Sequence, residues 1–190
     1  MSTIVIAHGY SMSPAHHWYP WLTDRLTAAG HRVVVPALPD PGAPDPDAWH
    51  KTLLAATDAA PADTVLVGHS LGGISILRLL HQHDTAGLGA YRGALLVASM
   101  TKEVGYDHLV PFFRPAFDWP GIRAAARARR VLHAADDPVT GSATPEHVMA
   151  FATDFGADVT LTPDGGHFPD REGTRTQLPY ALDLVRALAG

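Results

Sequence analysis

The chain has 190 residues, 46% of them hydrophobic and 17% charged, with a formal net charge of −5. That length suits one domain spanning residues 1–190, whose core can bury about 70% of the unfolded surface, and the acidic balance argues against a nucleic-acid partner, which needs a basic face. Because the chain contains no cysteine, disulfides, thiolate catalysis and cysteine-held zinc are excluded.

The first eight residues carry no basic leader and only a short apolar stretch, so neither a signal peptide nor a membrane span is expected, and the protein is expected to be soluble and cytoplasmic. Residues 3–7 form the first predicted strand, and Trp18, Trp21, Leu22, Arg25 and Leu26 recur at the spacing of an amphipathic helix. A second strand over 32–35 runs into the segment 36–46, where Pro36, Pro39, Pro41, Pro44, Pro46 and Gly42 favour an extended loop. A helix over 47–59, a strand over 64–67 and a helix over 72–83 follow, then a strand over 94–98. Residues 99–121 are irregular and hold Tyr106, Phe112, Phe113, Phe117 and Trp119 among Pro111, Pro115 and Pro120. Such a segment can roof a pocket or fold onto the core, and it is too short to be a separate lid domain. Arg123, Arg127, Arg129 and Arg130 read as a solvated helix end running into the next strand, over 130–134. A helix over 145–155, a strand over 158–161 and a helix over 175–189 complete the chain. Apolar runs alternating with helical segments predict a mostly parallel sheet of about six strands, covered by helices on both faces.

Gly68-His69-Ser70-Leu71-Gly72 lies where the third strand meets its helix. A sharp turn at that junction strains the central residue and projects its hydroxyl clear of the sheet, and glycines at 68 and 72 remove side chains that would collide. Ser70 is therefore the candidate nucleophile. A serine hydroxyl needs a general base and a group to orient that base. Of twelve histidines, only His167 lies beyond the last predicted strand, in Asp164-Gly165-Gly166-His167-Phe168. The acid is expected after the fifth strand, where Asp136 and Asp137 stand side by side. Pro138 restricts Asp137 to extended backbone and favours it, with Asp136 as the alternative that caps the turn.

Two backbone amides are needed for an oxyanion. Leu71 supplies one, and Tyr10, after His8-Gly9 at the end of the first strand, is the natural second. Removing such a donor costs about 3 kcal/mol in the barrier. His8 and His69 read as braces rather than reacting groups. His16 with His17, and His81 with His83, lack the geometry of a metal site, and neither a cofactor nor a metal is expected. The substrate pocket is expected to draw on Tyr10, the 36–46 loop and the 99–121 segment, with Phe112, Phe113 and Trp119 as an apolar wall.

With these residues placed, the chain resembles the small serine hydrolases typified by retinoblastoma-binding protein nine. The resemblance runs through His8-Gly9, Trp18, Leu38-Pro39, Trp49, the elbow around Ser70, Asp136-Asp137-Pro138 and Gly165-Gly166-His167-Phe168. It departs after the acidic turn, where Val139 is followed by Thr140-Gly141 instead of a proline. The resemblance implies a compact α/β-hydrolase fold, a three-layer sandwich without a separate lid domain, and a triad of Ser70, Asp137 and His167. The expected reaction is hydrolysis of small carboxylic esters, or activated amides, through an acyl-serine intermediate. Two other uses of the same frame stand beside it: an interaction module with weak or lost turnover, and acyl transfer or perhydrolysis on the same triad. The expected partner is a small-molecule ester or amide, with neither nucleic acid nor membrane; oligomeric state does not follow from the pattern.

Overall fold

The structure, a computed structural model, describes residues 1–57, 60–169 and 175–190. Six strands form one parallel sheet: β1 (Thr3–Ala7), β2 (Arg32–Val34), β3 (Thr64–His69), β4 (Tyr91–Val97), β5 (Ala126–Ala134) and β6 (Asp158–Thr162). Their spatial order is β2-β1-β3-β4-β5-β6. This is the parallel, six-stranded sheet expected from the alternation of runs, and it matches the α/β-hydrolase fold that the resemblance implies.

Seven helices pack against it among the described residues: α1 (Tyr19–Ala28), α2 (Pro46–Ala56), α3 (Leu71–His81), α4 (Thr85–Leu88), α5 (Trp119–Ala124), α6 (Thr144–Thr153) and α7 (Pro179–Ala189). The period of two along each strand sorts side chains between the layers. Ile4, Ile6, Val65, Val67, Leu95 and Val97 face α1 and α7, whereas Val5, Ala7, Leu66, Ala94 and Leu96 face the layer of α2, α3, α5 and α6. Both faces are thus covered, which is why these strands read as continuous apolar runs. No helix among the described residues is long and apolar enough to cross a membrane.

Boundaries moved where chain chemistry competes with periodicity. The strand expected over 130–134 begins at Ala126, so Arg127, Arg129 and Arg130 lie inside β5 rather than at a helix end. They are tolerated because Arg127 is exposed and the other two, half-buried, are tied down: Arg129 donates to the carbonyls of Ala126 (2.6 Å) and Gly156 (3.1 Å), and Arg130 pairs with Asp158 on β6. The last helix starts at Pro179 rather than 175, since proline at N1 presets the helix and bars Leu178 before it from helical backbone. The expectation of helix up to 59 exceeds α2, which ends at Ala56; residues 58–59 lie outside the described residues, as do 170–174. The irregular 99–121 segment holds a 3₁₀ turn, Asp107–Phe113, and the start of α5.

The chain leaves β1 for β2 on one side and returns to lay β3 on the other. The carboxyl ends of β1 and β3 therefore form a switch point, where loops diverge and leave a crevice.

Candidate active site

Ser70 occupies the turn between β3 and α3 with φ 54° and ψ −122°. A non-glycine residue there stores about 1–3 kcal/mol of strain. The neighbours compel it. A Cβ at residue 68 would sit 2.4 Å from Gly73 Cα, and one at residue 72 would sit 2.2 Å from the Ala7 carbonyl oxygen, so the helix can approach the sheet this closely only with glycine at both positions. The Ser70 amide donates to the Val97 carbonyl (2.9 Å), and the Ser99 hydroxyl donates to the Ser70 carbonyl (3.2 Å), pinning the elbow to the end of β4.

The Ser70 hydroxyl donates to His167 Nε2 at 2.8 Å, and His167 Nδ1–H donates to Asp137 Oδ2 at 2.8 Å and Oδ1 at 3.0 Å. Oδ1 also accepts from the Val139 amide at 2.8 Å. The imidazole tautomer is assigned from these partners: a carboxylate requires the proton at Nδ1 and leaves Nε2 free to accept. Burial disfavours the Asp137 charge, but the hydrogen bond and attraction of His167, the Val139 amide and His133 outweigh it, holding the carboxyl below its ordinary value. Asp136 does a different job, with Oδ1 accepting the Gly166 amide at 2.8 Å and so fixing the loop that carries His167.

Two further braces hold that loop. Trp18 Nε1–H donates to the Phe168 carbonyl (3.0 Å). His69 Nε2–H donates to the His167 carbonyl (2.8 Å), and its Nδ1 accepts from the Tyr19 hydroxyl (2.6 Å). The Tyr19 oxygen in turn accepts the Gly9 amide at 3.3 Å, joining the loop after β1 to the loop of His167. His8 bridges the other way, donating from Nδ1 to the Gly9 carbonyl (2.9 Å) and accepting the Leu38 amide at Nε2 (3.1 Å). Trp49 Nε1–H completes the set by donating to the Pro39 carbonyl at 2.8 Å. Several residues that carry the family resemblance away from the reacting groups are thus loop braces.

A cavity of about 240 Å³ opens over Ser70 and His167, lined also by Tyr10, Met12, Met100, Leu109 and Val139, with Tyr106 and His108 from the irregular segment. Leu71 is the first residue of α3, so its amide has no acceptor within the helix. The Tyr10 amide has no protein acceptor among the described residues.

A family model described as serine hydrolase matches residues 4–187. The chain belongs to that serine hydrolase family. The Bacillus subtilis protein YdeN is 33% identical over 184 residues, covering 96% of this chain and 93% of YdeN. Its crystal structure overlays with a TM-score of 0.88 at 31% identity, covering 99% of this chain and 98% of that one. Serine hydrolase RBBP9 of Rattus norvegicus is 24% identical over 174 residues, or 90% and 88% of the two chains. A Xanthomonas campestris structure of the alpha/beta superfamily shares the fold at a TM-score of 0.70 and 23% identity, over 98% and 99%.

In this serine hydrolase the reacting candidates Ser70, His167 and Asp137 come together, and Tyr10 and Leu71 flank them. The expected apolar wall does not form where it was expected. Phe112 is buried edge-on against Trp49, with ring centroids 5.6 Å apart, and its carbonyl accepts Arg78 Nε–H at 2.7 Å. Phe113 is buried in the core and Trp119 packs on Phe117 and Phe155; both line a separate groove of about 430 Å³ with Lys102, Glu103 and Arg114. The reason is that the 3₁₀ turn presents Phe112 and Phe113 to α3 and leaves His108 and Leu109 over the serine. The 36–46 loop also stands back from the cavity. It supports Tyr10 instead, whose hydroxyl donates to the Gly42 carbonyl at 2.9 Å, while the Ser11 amide donates to the Pro41 carbonyl at 2.7 Å. Met100, Tyr106, His108 and Leu109 fall within the expected 99–121 segment, whereas Met12 and Val139 were missed; their place in the loops that follow β1 and β5 was the signal that could have found them.

Proposed function

We propose that this serine hydrolase cleaves small carboxylic esters through an acyl-serine intermediate, with Ser70 as nucleophile, His167 as general base and then acid, and Asp137 as the group that orients His167. The observation that carries this reading is the unbroken path from Ser70 Oγ to His167 Nε2 (2.8 Å) and from Nδ1 to the buried Asp137 carboxylate (2.8 Å), ending at the floor of a cavity. Ser70 Oγ attacks the ester carbonyl as its proton passes to Nε2. The carbonyl oxygen gains the negative charge and is received by the amides of Leu71 and Tyr10. Collapse breaks the bond to the alcohol, which leaves with the proton from Nε2. Water then attacks the acyl-serine, gives a proton to Nε2, and the acid departs as that proton returns to Ser70. Asp137 stays ionised and stabilises the imidazolium in both halves.

Two features favour an ester over a bulkier substrate. The cavity is smaller than the roughly 300–1,000 Å³ of drug-sized pockets, and the strained elbow keeps the hydroxyl raised without movement on binding. The test is hydrolysis of p-nitrophenyl acetate and covalent labelling by a fluorophosphonate. Both are expected in the wild type and neither in Ser70→Ala, with an unchanged melting temperature. Undiminished turnover in Ser70→Ala overturns the reading, and labelling without ester turnover favours transfer to another acceptor.

A further inference from the structure

Nine residues line the cavity over Ser70, and none is Asp, Glu, Lys or Arg. Beyond the two reacting side chains, the wall is dominated by the rings of Tyr10, Tyr106 and His108 and the thioethers of Met12 and Met100. We propose that this cavity recognises a small, uncharged aromatic ring on the ester, an inference that rests on the ester-hydrolase reading above.

The walls are held before any substrate arrives. The His108 ring lies 4.9 Å from that of Tyr10, tilted by 47°, and 6.0 Å from that of Tyr106 at 64°. Tyr10 is tied through its hydroxyl to the Gly42 carbonyl. Met12 Sδ lies 3.1 Å from the Tyr19 hydroxyl oxygen, and Met100 is buried beside Ser70. Ring edges and faces, together with polarisable sulfur, attract a flat π system more strongly than an alkyl group of equal area. A saturated ring of the same size gains only the area. A charged group would surrender its hydration with no counter-ion in the wall. The volume of about 240 Å³ admits one ring on a short linker and not a long acyl chain.

The experiment follows acid release by titration with the full chain, on two matched pairs: methyl phenylacetate against methyl cyclohexylacetate, and benzyl acetate against cyclohexylmethyl acetate. Each pair differs in aromaticity at nearly constant size, and the two together ask which side of the ester carries the ring. The expected result is a kcat/KM roughly tenfold higher for the aromatic member in at least one pair. That ratio is expected to fall towards one in His108→Ala and in Tyr106→Leu; both side chains are exposed, so the fold is retained, as a melting curve verifies. Monomethyl succinate, which carries a carboxylate, is expected to be the poorest substrate. Ratios near one in both pairs, or ratios that neither variant moves, overturn the aromatic preference while leaving the hydrolase reading intact. Fluorophosphonate labelling of Ser70 without turnover of any of the four esters also overturns the preference alone. Absence of both labelling and turnover overturns the hydrolase reading and this inference with it.

Discussion

Lowering the pH from 7 to 5 is expected to cost this fold about 4 kcal/mol through two of its buried histidines, His69 and His147, with His8 and His133, also buried and pushed down by burial, adding loss of the same sign. His69 lies between the Tyr19 hydroxyl and the His167 carbonyl, and burial, reinforced by repulsion from His167, pushes its pKa down to about 3 from the ordinary 6.5. His147 accepts the Thr101 amide at Nδ1 (3.1 Å), and burial, with His133 and Lys102 nearby, pushes it to about 4. Below pH 6.5 the unfolded chain binds a proton at each site that the folded protein refuses. The stability these rings contribute is therefore complete above pH 6.5 and is lost as the pH falls towards their folded values. At about 1.36 kcal/mol per pH unit, the difference between pH 7 and pH 5 is about 2 kcal/mol for each ring. That is a large share of a typical stability of about 5–15 kcal/mol. Asp137, held below its ordinary 3.8, adds a loss of the same sign only at lower pH. Urea unfolding followed by fluorescence of the buried Trp18 and Trp49 reads the change; with m about 2 kcal/mol/M, the midpoint drops by about 2 M. His69→Phe removes one titration and should shrink the drop by about 1 M, whatever its starting stability. A midpoint constant between pH 7 and 5, or a full drop in His69→Phe, refutes the reasoning.

Asp137→Asn is expected to lower kcat on the order of 10³- to 10⁴-fold, since the imidazolium loses its counter-charge and its tautomer control. Asp136→Asn keeps an oxygen for the Gly166 amide and should lose less than about tenfold; the reverse order would exchange their roles. Gly72→Ala forces a Cβ to within 2.2 Å of the Ala7 carbonyl oxygen, between two stretches of backbone that cannot yield separately. More than about 3 kcal/mol of stability should be lost, and a normal urea midpoint would contradict the packing described. Tyr19→Phe leaves His69 Nδ1 buried without a donor, at about 1–3 kcal/mol. Phe112→Ala should cost about 3–5 kcal/mol through the cavity left beside Trp49, with the ranking of ester substrates unchanged; an altered ranking would return Phe112 to the substrate wall.

The strands and the positions of Ser70, Asp137 and His167 were legible in the chain because each rests on a local rule. A short apolar run between helical segments reads as a strand covered on both faces, and a serine between Gly68 and Gly72 where strand meets helix reads as a tight elbow. A sheet with loops at one edge then brings those loops together without further instruction. The braces were legible only as familiar residues: that Trp18 holds Phe168, and His69 holds His167, depends on side chains separated by 150 and 98 positions.

The cover over the site was decided by tertiary structure alone. Residues 99–121 have no periodicity, so nothing local says which aromatic faces the serine. Phe112 and Phe113 are drawn into the core because α2 and α3 offer apolar surface there, and the turn that buries them leaves Tyr106 and His108 over the cavity. The choice between Asp136 and Asp137 was legible only in part, since Pro138 favours Asp137 without fixing where its carboxylate points. Both could reach the loop of His167, and only the backbone at the end of β5 turns one carboxylate to the imidazole and the other to the Gly166 amide. By itself the sequence determined which groups meet at the sheet edge, since turn and strand preferences act over a few residues. What surrounds them depended on burial competing across the whole core.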